Sequence, residues 1–232
     1  MAAFLVLAGC NPATEQAQAD NSWTEENLKG KVSRILEVRY NAVNDRGTWR
    51  KDKQQQIYSV KTYNAQGYLT SERAFYSDTN QPAGGNNRIY DENNNLLRIE
   101  QGDQQGGVVS YSDVSSREGK VRILEYSDYY GTGDEAILTG KTKMTWDGYK
   151  IKSAVTEDPY GETISTSEYT YNEKGNLATF DVTTKKPQER YIKMKSEYAN
   201  DDEKGNWTVM FVQYENLPNK EFVERQIEYF KD

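Results

Sequence analysis

Histidine is missing from this chain, and cysteine occurs once, as Cys10. The first absence removes the commonest general base and the commonest transition-metal ligand. The second excludes an internal disulfide. Proline is scarce, at 5 in 232 residues, so turns fall to Gly, Asn and Asp. No apolar run reaches the roughly 20 residues that a membrane-spanning helix needs. Basic residues are outnumbered, 29 Lys and Arg against 36 Asp and Glu. A net charge of -7 offers no basic face to a phosphate backbone, which argues against nucleic acid. There is no Walker loop and no Gly-x-Gly-x-x-Gly. Ser165-Thr166-Ser167 has no histidine to activate it. Two carboxylates would suffice for glycoside hydrolysis, but no spacing singles out a pair. The acidic stretches 128–135 and 201–203 lack the spacing of an EF-hand and read as solvated turns. The expectation is a non-enzyme without metal or cofactor.

What remains is aromatic and repetitive. Hydrophobic residues make up only 35% and the mean hydropathy is -0.96, yet there are 18 Tyr and 4 Trp. Disordered chains lack aromatics, so a thin β structure with Tyr on its buried face fits better. The most regular unit is Tyr169-Thr170-Tyr171-Asn172-Glu173-Lys174-Gly175-Asn176-Leu177. Asn172 suits the first position of a type I turn, Gly175 supplies a left-handed residue, and Leu177 restarts the apolar alternation.

Similar turns centre on Gly47, Gly67, Asn94, Gly119, Gly148, Gly175 and Gly205. At Asn94 the residue next best to Gly in the left-handed region stands in its place. Asp147-Gly148 is a two-residue hairpin signal. The intervals run from 20 to 30 residues, the mark of an array of supersecondary units. The stretch 31–40 reads as a strand with Val32, Leu36, Val38 and Tyr40 on one face and Arg34 interrupting it. Longer loops are expected at 78–85, 102–107, 128–135, 158–161 and 216–219, on the edge opposite the tight turns. Function in repeat arrays usually sits on one such edge. The fold class is therefore all-β: an antiparallel meander of about seven repeated hairpins, curled, barrel-like or wound as a solenoid.

Residues 2–9 form a short apolar run before Cys10, and Leu7-Ala8-Gly9-Cys10 resembles the lipobox of bacterial lipoproteins. The resemblance implies lipidation of Cys10 and anchoring in a membrane. No Lys or Arg precedes the apolar run, so a start upstream of Met1 is expected. Asn11 after Cys10 lacks the Asp that resembles an inner-membrane retention signal, which points to the outer membrane, periplasmic or surface side. Residues 1–9 read as signal peptide, 10–27 as tether with Trp23 docking on the first strands, and 28–232 as one hairpin-repeat domain.

Tyr90-Asp91-Glu92, the 171–177 stretch and Lys204-Gly205-Asn206-Trp207 resemble the YD repeats of Rhs-type bacterial surface proteins. Leu28-Lys29-Gly30-Lys31-Val32 followed by Tyr40 is similar to uncharacterised lipoproteins of gut anaerobes. The resemblance implies a β-hairpin fold and an envelope address, and no activity. The expected role is a non-enzymatic envelope scaffold that meets a protein partner or envelope component through its long-loop edge. The alternative is glycan binding by the loop aromatics Tyr129, Tyr130 and Tyr160, with strand tyrosines serving mainly as structure.

Overall fold

A computed structural model describes residues 21–117, 123–186, 188–215 and 220–231. Cys10, the signal and most of the tether, and the Gly119 turn lie outside the described residues. Strands β1 (Val32–Asp45), β2 (Thr48–Tyr63), β3 (Leu69–Tyr76), β4 (Pro82–Tyr90) and β5 (Leu96–Gly102) open the meander. It continues through β6 (Val108–Arg117), β7 (Ile123–Tyr130), β8 (Ile137–Asp147), β9 (Lys150–Glu157) and β10 (Thr163–Tyr171). The last four are β11 (Leu177–Thr184), β12 (Arg190–Asp201), β13 (Trp207–Tyr214) and β14 (Lys220–Tyr229). Each strand pairs antiparallel with the next, and β1 pairs with β14 from Val32↔Tyr229 to Ala42↔Lys220, so the sheet closes as a barrel. Closure corrects the solenoid alternative: joining the ends leaves no edge strand with unpaired N–H and C=O groups.

Alternation in the turns sets the two ends of the barrel. The turns at Gly67, Asn94, Gly148, Gly175 and Gly205 lie at one end, and all five residues have positive φ. Gly47 lies at the other end, because β1 and β2 run in opposite directions and only β2 separates it from Gly67. The 20-residue interval between Gly47 and Gly67 is thus one strand long, whereas the longer intervals span a hairpin. Arg46-Gly47 forms a two-residue loop with φ of +53° and +88° between the paired Asp45 and Thr48, the type I′ geometry that matches strand twist. The loop after β8 is Gly148-Tyr149, since Asp147 already pairs with Lys150.

The other tight turns share one device. Asn64 Oδ1 accepts from the backbone N–H of Gln66 (3.1 Å) and Tyr68 (3.0 Å). Asp91 does the same for Asn93 and Asn95, and Asp202 for Lys204 and Asn206. Asp103 and Asp158, at the opposite end, make the same pair of bonds. The loops expected to be loose at 102–107 and 158–161 are therefore tight turns as well. A short acceptor side chain at the first position satisfies N–H groups that the bend would otherwise strand.

Tyrosines before these turns tie neighbouring hairpins together. The Tyr90 hydroxyl donates to Leu69 O (2.9 Å), Tyr171 to Ile151 O (3.0 Å) and Tyr198 to Leu177 O (2.8 Å). The apolar ring packs on the wall while the hydroxyl fixes the next hairpin about 20 residues away, which is why Tyr can repeat where a core would otherwise use Phe.

Strand β1 corrects the face expected for it. A bulge between Val32 and Arg34 shifts the alternation. Val32, Ile35 and Glu37 are buried in the interior, while Leu36, Val38 and Tyr40 face out and Arg34 meets Glu228 outside at 2.6 Å.

Candidate functional site: a plugged lumen

The segment 21–31 crosses the tight-turn end of the barrel. Ser22–Glu25 forms a single helical turn, α1, capped by Asn21, whose Oδ1 accepts from Thr24 N. Trp23 docks on the first strands as expected, its Nε1 donating to Val32 O at 2.8 Å. Asn21 Nδ2 reaches Gln66 O (2.8 Å), and Ser22 Oγ accepts from Leu69 N (2.9 Å). Asn27 Nδ2 reaches Lys174 O (2.9 Å) and Asn176 Oδ1 (2.7 Å). Asn206 accepts from Lys29 N (2.6 Å) and donates to Lys29 O (2.9 Å). Lys150 Nζ donates to Glu25 O at 3.3 Å. One segment thus holds four hairpins. Asn176 and Asn206, the residues after the turn glycines, entered the sequence reading only as parts of the repeat motif; their recurrence after Lys-Gly was the signal for these contacts.

Inside, the lumen divides. Trp207, Met210, Val212 and Val223 pack a dry cluster with Met194, Tyr198 and Tyr214 on β12 to β14. Leu28, Val32, Ile35, Tyr63 and Leu69 form a second under the plug. Between the plug and the wall from β3 to β9 lies a cavity of about 990 Å³, at the upper end of the range of small-molecule sites. Its lining carries an apolar patch of Leu96, Ile99, Leu124, Met144, Trp146 and Ile151, while the plug and the wall beside it contribute Asn21, Glu25, Glu26, Lys61 and Arg88. Further along the strands it is polar as well, through Asn86, Gln101, Ser112, Asp128 and Thr142.

Charges inside the barrel are mostly matched. Glu37 accepts from Arg225 Nε at 2.9 Å, with both side chains about nine-tenths buried. Burial alone would raise the Glu37 carboxyl, but Arg225, with Lys61 and Arg39 behind it, holds it down to about 2. The Arg225 guanidinium stacks on Trp207, 3.4 Å from the ring centroid. Glu26, at the end of α1, meets Lys61 Nζ (2.8 Å) and the Tyr63 hydroxyl (2.9 Å). Burial opposes the Glu26 charge, and Lys61 and Arg225 outweigh it and hold its carboxyl below the usual range.

Two charged groups facing the cavity differ. Arg88 lies against the Tyr90 hydroxyl, and among the described residues no carboxylate stands within 4.0 Å of it. Burial opposes its charge, but Tyr90 and the carboxylates of Glu26 and Glu25 hold its pKa above the ordinary value. Asp128 accepts from the hydroxyls of Ser112 (2.5 Å) and Thr142 (3.3 Å) and has no cation within the same limit among the described residues.

The outer wall carries ion pairs on β5 and β6, on β11 and β12, and between β2 and β14. Arg98, beside lumen-facing Ile99, pairs outside with Asp113 at 2.6 Å. Lys193 and Asp181 pair across β12 and β11 at 3.4 Å, and Lys51 and Glu224 pair at 2.8 Å. A barrel that spans a bilayer needs an apolar outer band, where each such cation costs about 2–4 kcal/mol at the midplane. The outer aromatic contacts Tyr40–Phe222, Phe211–Phe222 and Tyr58–Phe75 gather on β13, β14 and β1 to β3.

The expected loop aromatics do not form a cluster with one another. Tyr129 stacks on Tyr111 on the outer wall, centroids 4.8 Å apart. Tyr130 is 66% exposed at the end of β7, and Tyr160, 93% exposed, sits one hairpin further round the same rim.

No family model matches the chain, and no curated protein is similar to it in sequence. Among solved structures it is similar to a porin-like protein from Bacteroides vulgatus, at 9% identity and a TM-score of 0.39, covering 87% of this chain and 99% of that one. A porin-like protein from Bacteroides uniformis gives 11% identity and a TM-score of 0.34, covering 86% and 98%. Scores this low leave the functional argument to the chain's own residues.

Proposed function

We propose that this chain is a non-enzymatic cell-envelope protein that holds a small organic ligand with an apolar body in its barrel lumen. The observation that carries the reading is the 990 Å³ cavity, whose largely polar lining is interrupted by the apolar patch of Leu96, Ile99, Leu124, Met144, Trp146 and Ile151. Ion pairs on the outer wall and the lipobox resemblance at Cys10 support an anchored barrel that stands off an outer membrane rather than crossing it. This reading moves the working surface from the long-loop edge into the interior.

Titration with the neutral, environment-sensitive dye N-phenylnaphthylamine tests it. The wild type should bind one dye with a Kd of about 10 μM or below, near -7 kcal/mol. Met144→Trp, which fills the lumen, should weaken binding at least tenfold while circular dichroism shows the β structure retained. Phe211→Ser, on the outer wall, should leave it unchanged. Absence of saturable binding, or equal loss in the outer variant, would contradict lumen occupancy.

The exposure of Tyr130 and Tyr160 supports a second reading, sugar stacking on that rim. Loss of polysaccharide-column retention in Tyr130→Ala and Tyr160→Ala would favour it.

A further inference from the structure

Arg88 and Asp128, neither with an oppositely charged side chain within 4.0 Å among the described residues, stand on one row of the wall. In register, Arg88 of β4 faces Ile99 of β5, Ile99 faces Ser112 of β6, and Ser112 faces Asp128 of β7. All four line the cavity. Three interstrand steps of ~4.8 Å separate the two Cα atoms by about 14 Å. Opposite Asp128 on the far side is Gly140, which presents no side chain. A Cβ at Gly140 would come within 2.8 Å of Glu157 O, so the backbone there has no room for one. Ile99, Leu124 and Met144 supply apolar surface along and beneath this row.

From this arrangement we infer that the lumen ligand is a short linear zwitterion, with its carboxylate on Arg88, its ammonium on Asp128 and an apolar side chain against Ile99 and Leu124. The inference rests on the lumen-binding reading and adds its chemical class. A guanidinium offers a planar fork of donors that matches a carboxylate. Asp128 keeps acceptor capacity after its two hydroxyl bonds, because an ionised carboxylate has about four acceptor sites. Glu26 and Glu25 favour the Arg88 charge without touching it, so a ligand bearing both complementary charges supplies the direct partner that each end of the row lacks. Three extended peptide residues at 3.3–3.6 Å each span about 10 Å, which fits within the Cα separation of about 14 Å along the row. The class is therefore a peptide of about three residues with free termini.

Other charges line the same cavity, and Glu26 and Glu25 on the plug act on Arg88 from beyond contact distance. Lys61 is held by Glu26. Glu72 lines the cavity on β3, where its register partner is Asn86, two residues from Arg88 on β4.

The test is isothermal titration of the full chain, plug included, with the tripeptide Ala-Leu-Ala, its N-acetyl form, its C-terminal amide and the dipeptide Ala-Leu. The free tripeptide should bind at least tenfold more tightly than either capped form or the dipeptide. Arg88→Gln should abolish the preference over the C-terminal amide, and Asp128→Asn the preference over the N-acetyl form, while Phe211→Ser on the outer wall should leave both preferences unchanged. Equal affinity for free and capped peptides, or dye binding with no peptide binding, overturns the zwitterion while leaving lumen occupancy standing. Failure of both dye and peptide overturns the two together. Arg88→Lys, which keeps the charge without the fork, should retain part of the preference; a complete loss of dye binding in it would mark Arg88 as structural and also count against the inference.

Discussion

Arg225→Met is expected to destabilise the barrel by about 3 kcal/mol or more, because it leaves the Glu37 carboxylate buried beside a lost partner. Glu37 and Arg225 are each about nine-tenths buried and joined at 2.9 Å, so little solvent is present to screen the loss. Arg39, at 3.5 Å from Glu37, offsets only part of it. The double variant Glu37→Met with Arg225→Met should recover most of the stability, since a buried pair exchanged for apolar side chains is often neutral or better. The pair also sets a pH dependence. The folded carboxyl sits at about 2 against an ordinary 4.5, so its contribution is complete above the ordinary value and is lost as pH falls toward 2. Between about pH 5 and pH 2 the wild type should lose roughly 3 kcal/mol more than Glu37→Gln, because each pH unit between the folded and the ordinary value is worth about 1.4 kcal/mol. Urea unfolding at several pH values measures both. A single variant as stable as wild type would show that the pair is solvated and carries no weight.

Gly67→Ala should dislodge the plug while the barrel persists. Gly67 has φ of +91°, and an added Cβ would stand 2.5 Å from both Asn21 Nδ2 and Trp23 Cε3. The positive φ costs a non-glycine residue about 1–2 kcal/mol, and overpacking against the indole adds about 1–3 kcal/mol. Both penalties fall on the hairpin that receives Trp23 N–H and Asn21 Nδ2, so relief comes from lifting α1 away. The indole should then move into water, red-shifting tryptophan emission, and limited proteolysis should cut between residues 21 and 31. Gly205→Ala is the contrast: its φ is +84°, but nothing lies within 4 Å of its Cβ, so only the backbone penalty applies. Equal protection from proteolysis in Gly67→Ala and wild type would contradict the plug.

Much of the hairpin architecture was legible. Asn94 takes φ +63°, as the turn reading required of a residue standing in for Gly, and the meander order follows the turn order. Local signals suffice there because a tight turn is decided within four residues. The faces of β1 were misassigned, since one bulged residue reverses the alternation and Arg34, interrupting the expected apolar face, was the only sign of it. Nor was closure, which depends on β1 meeting β14 at the far end of the chain. The cavity was hidden for the same reason: Arg88 and Asp128 are distant in sequence and share a row only through three successive registers. Asp103 and Asp158 looked like openings of loose loops, yet each captures two backbone N–H groups as Asp91 and Asp202 do.

Photolabelling with an alkyl diazirine carried on the Ala-Leu-Ala leucine position, followed by peptide mass spectrometry, addresses lumen binding most directly. Labels should fall on the inward residues Ile99, Leu124, Met144 and Trp146, and excess unlabelled tripeptide should suppress them. Labels confined to the outer aromatic patch of Tyr40, Phe211 and Phe222, or to Tyr130 and Tyr160 on the rim, would contradict it and return the working surface to the outside of the barrel.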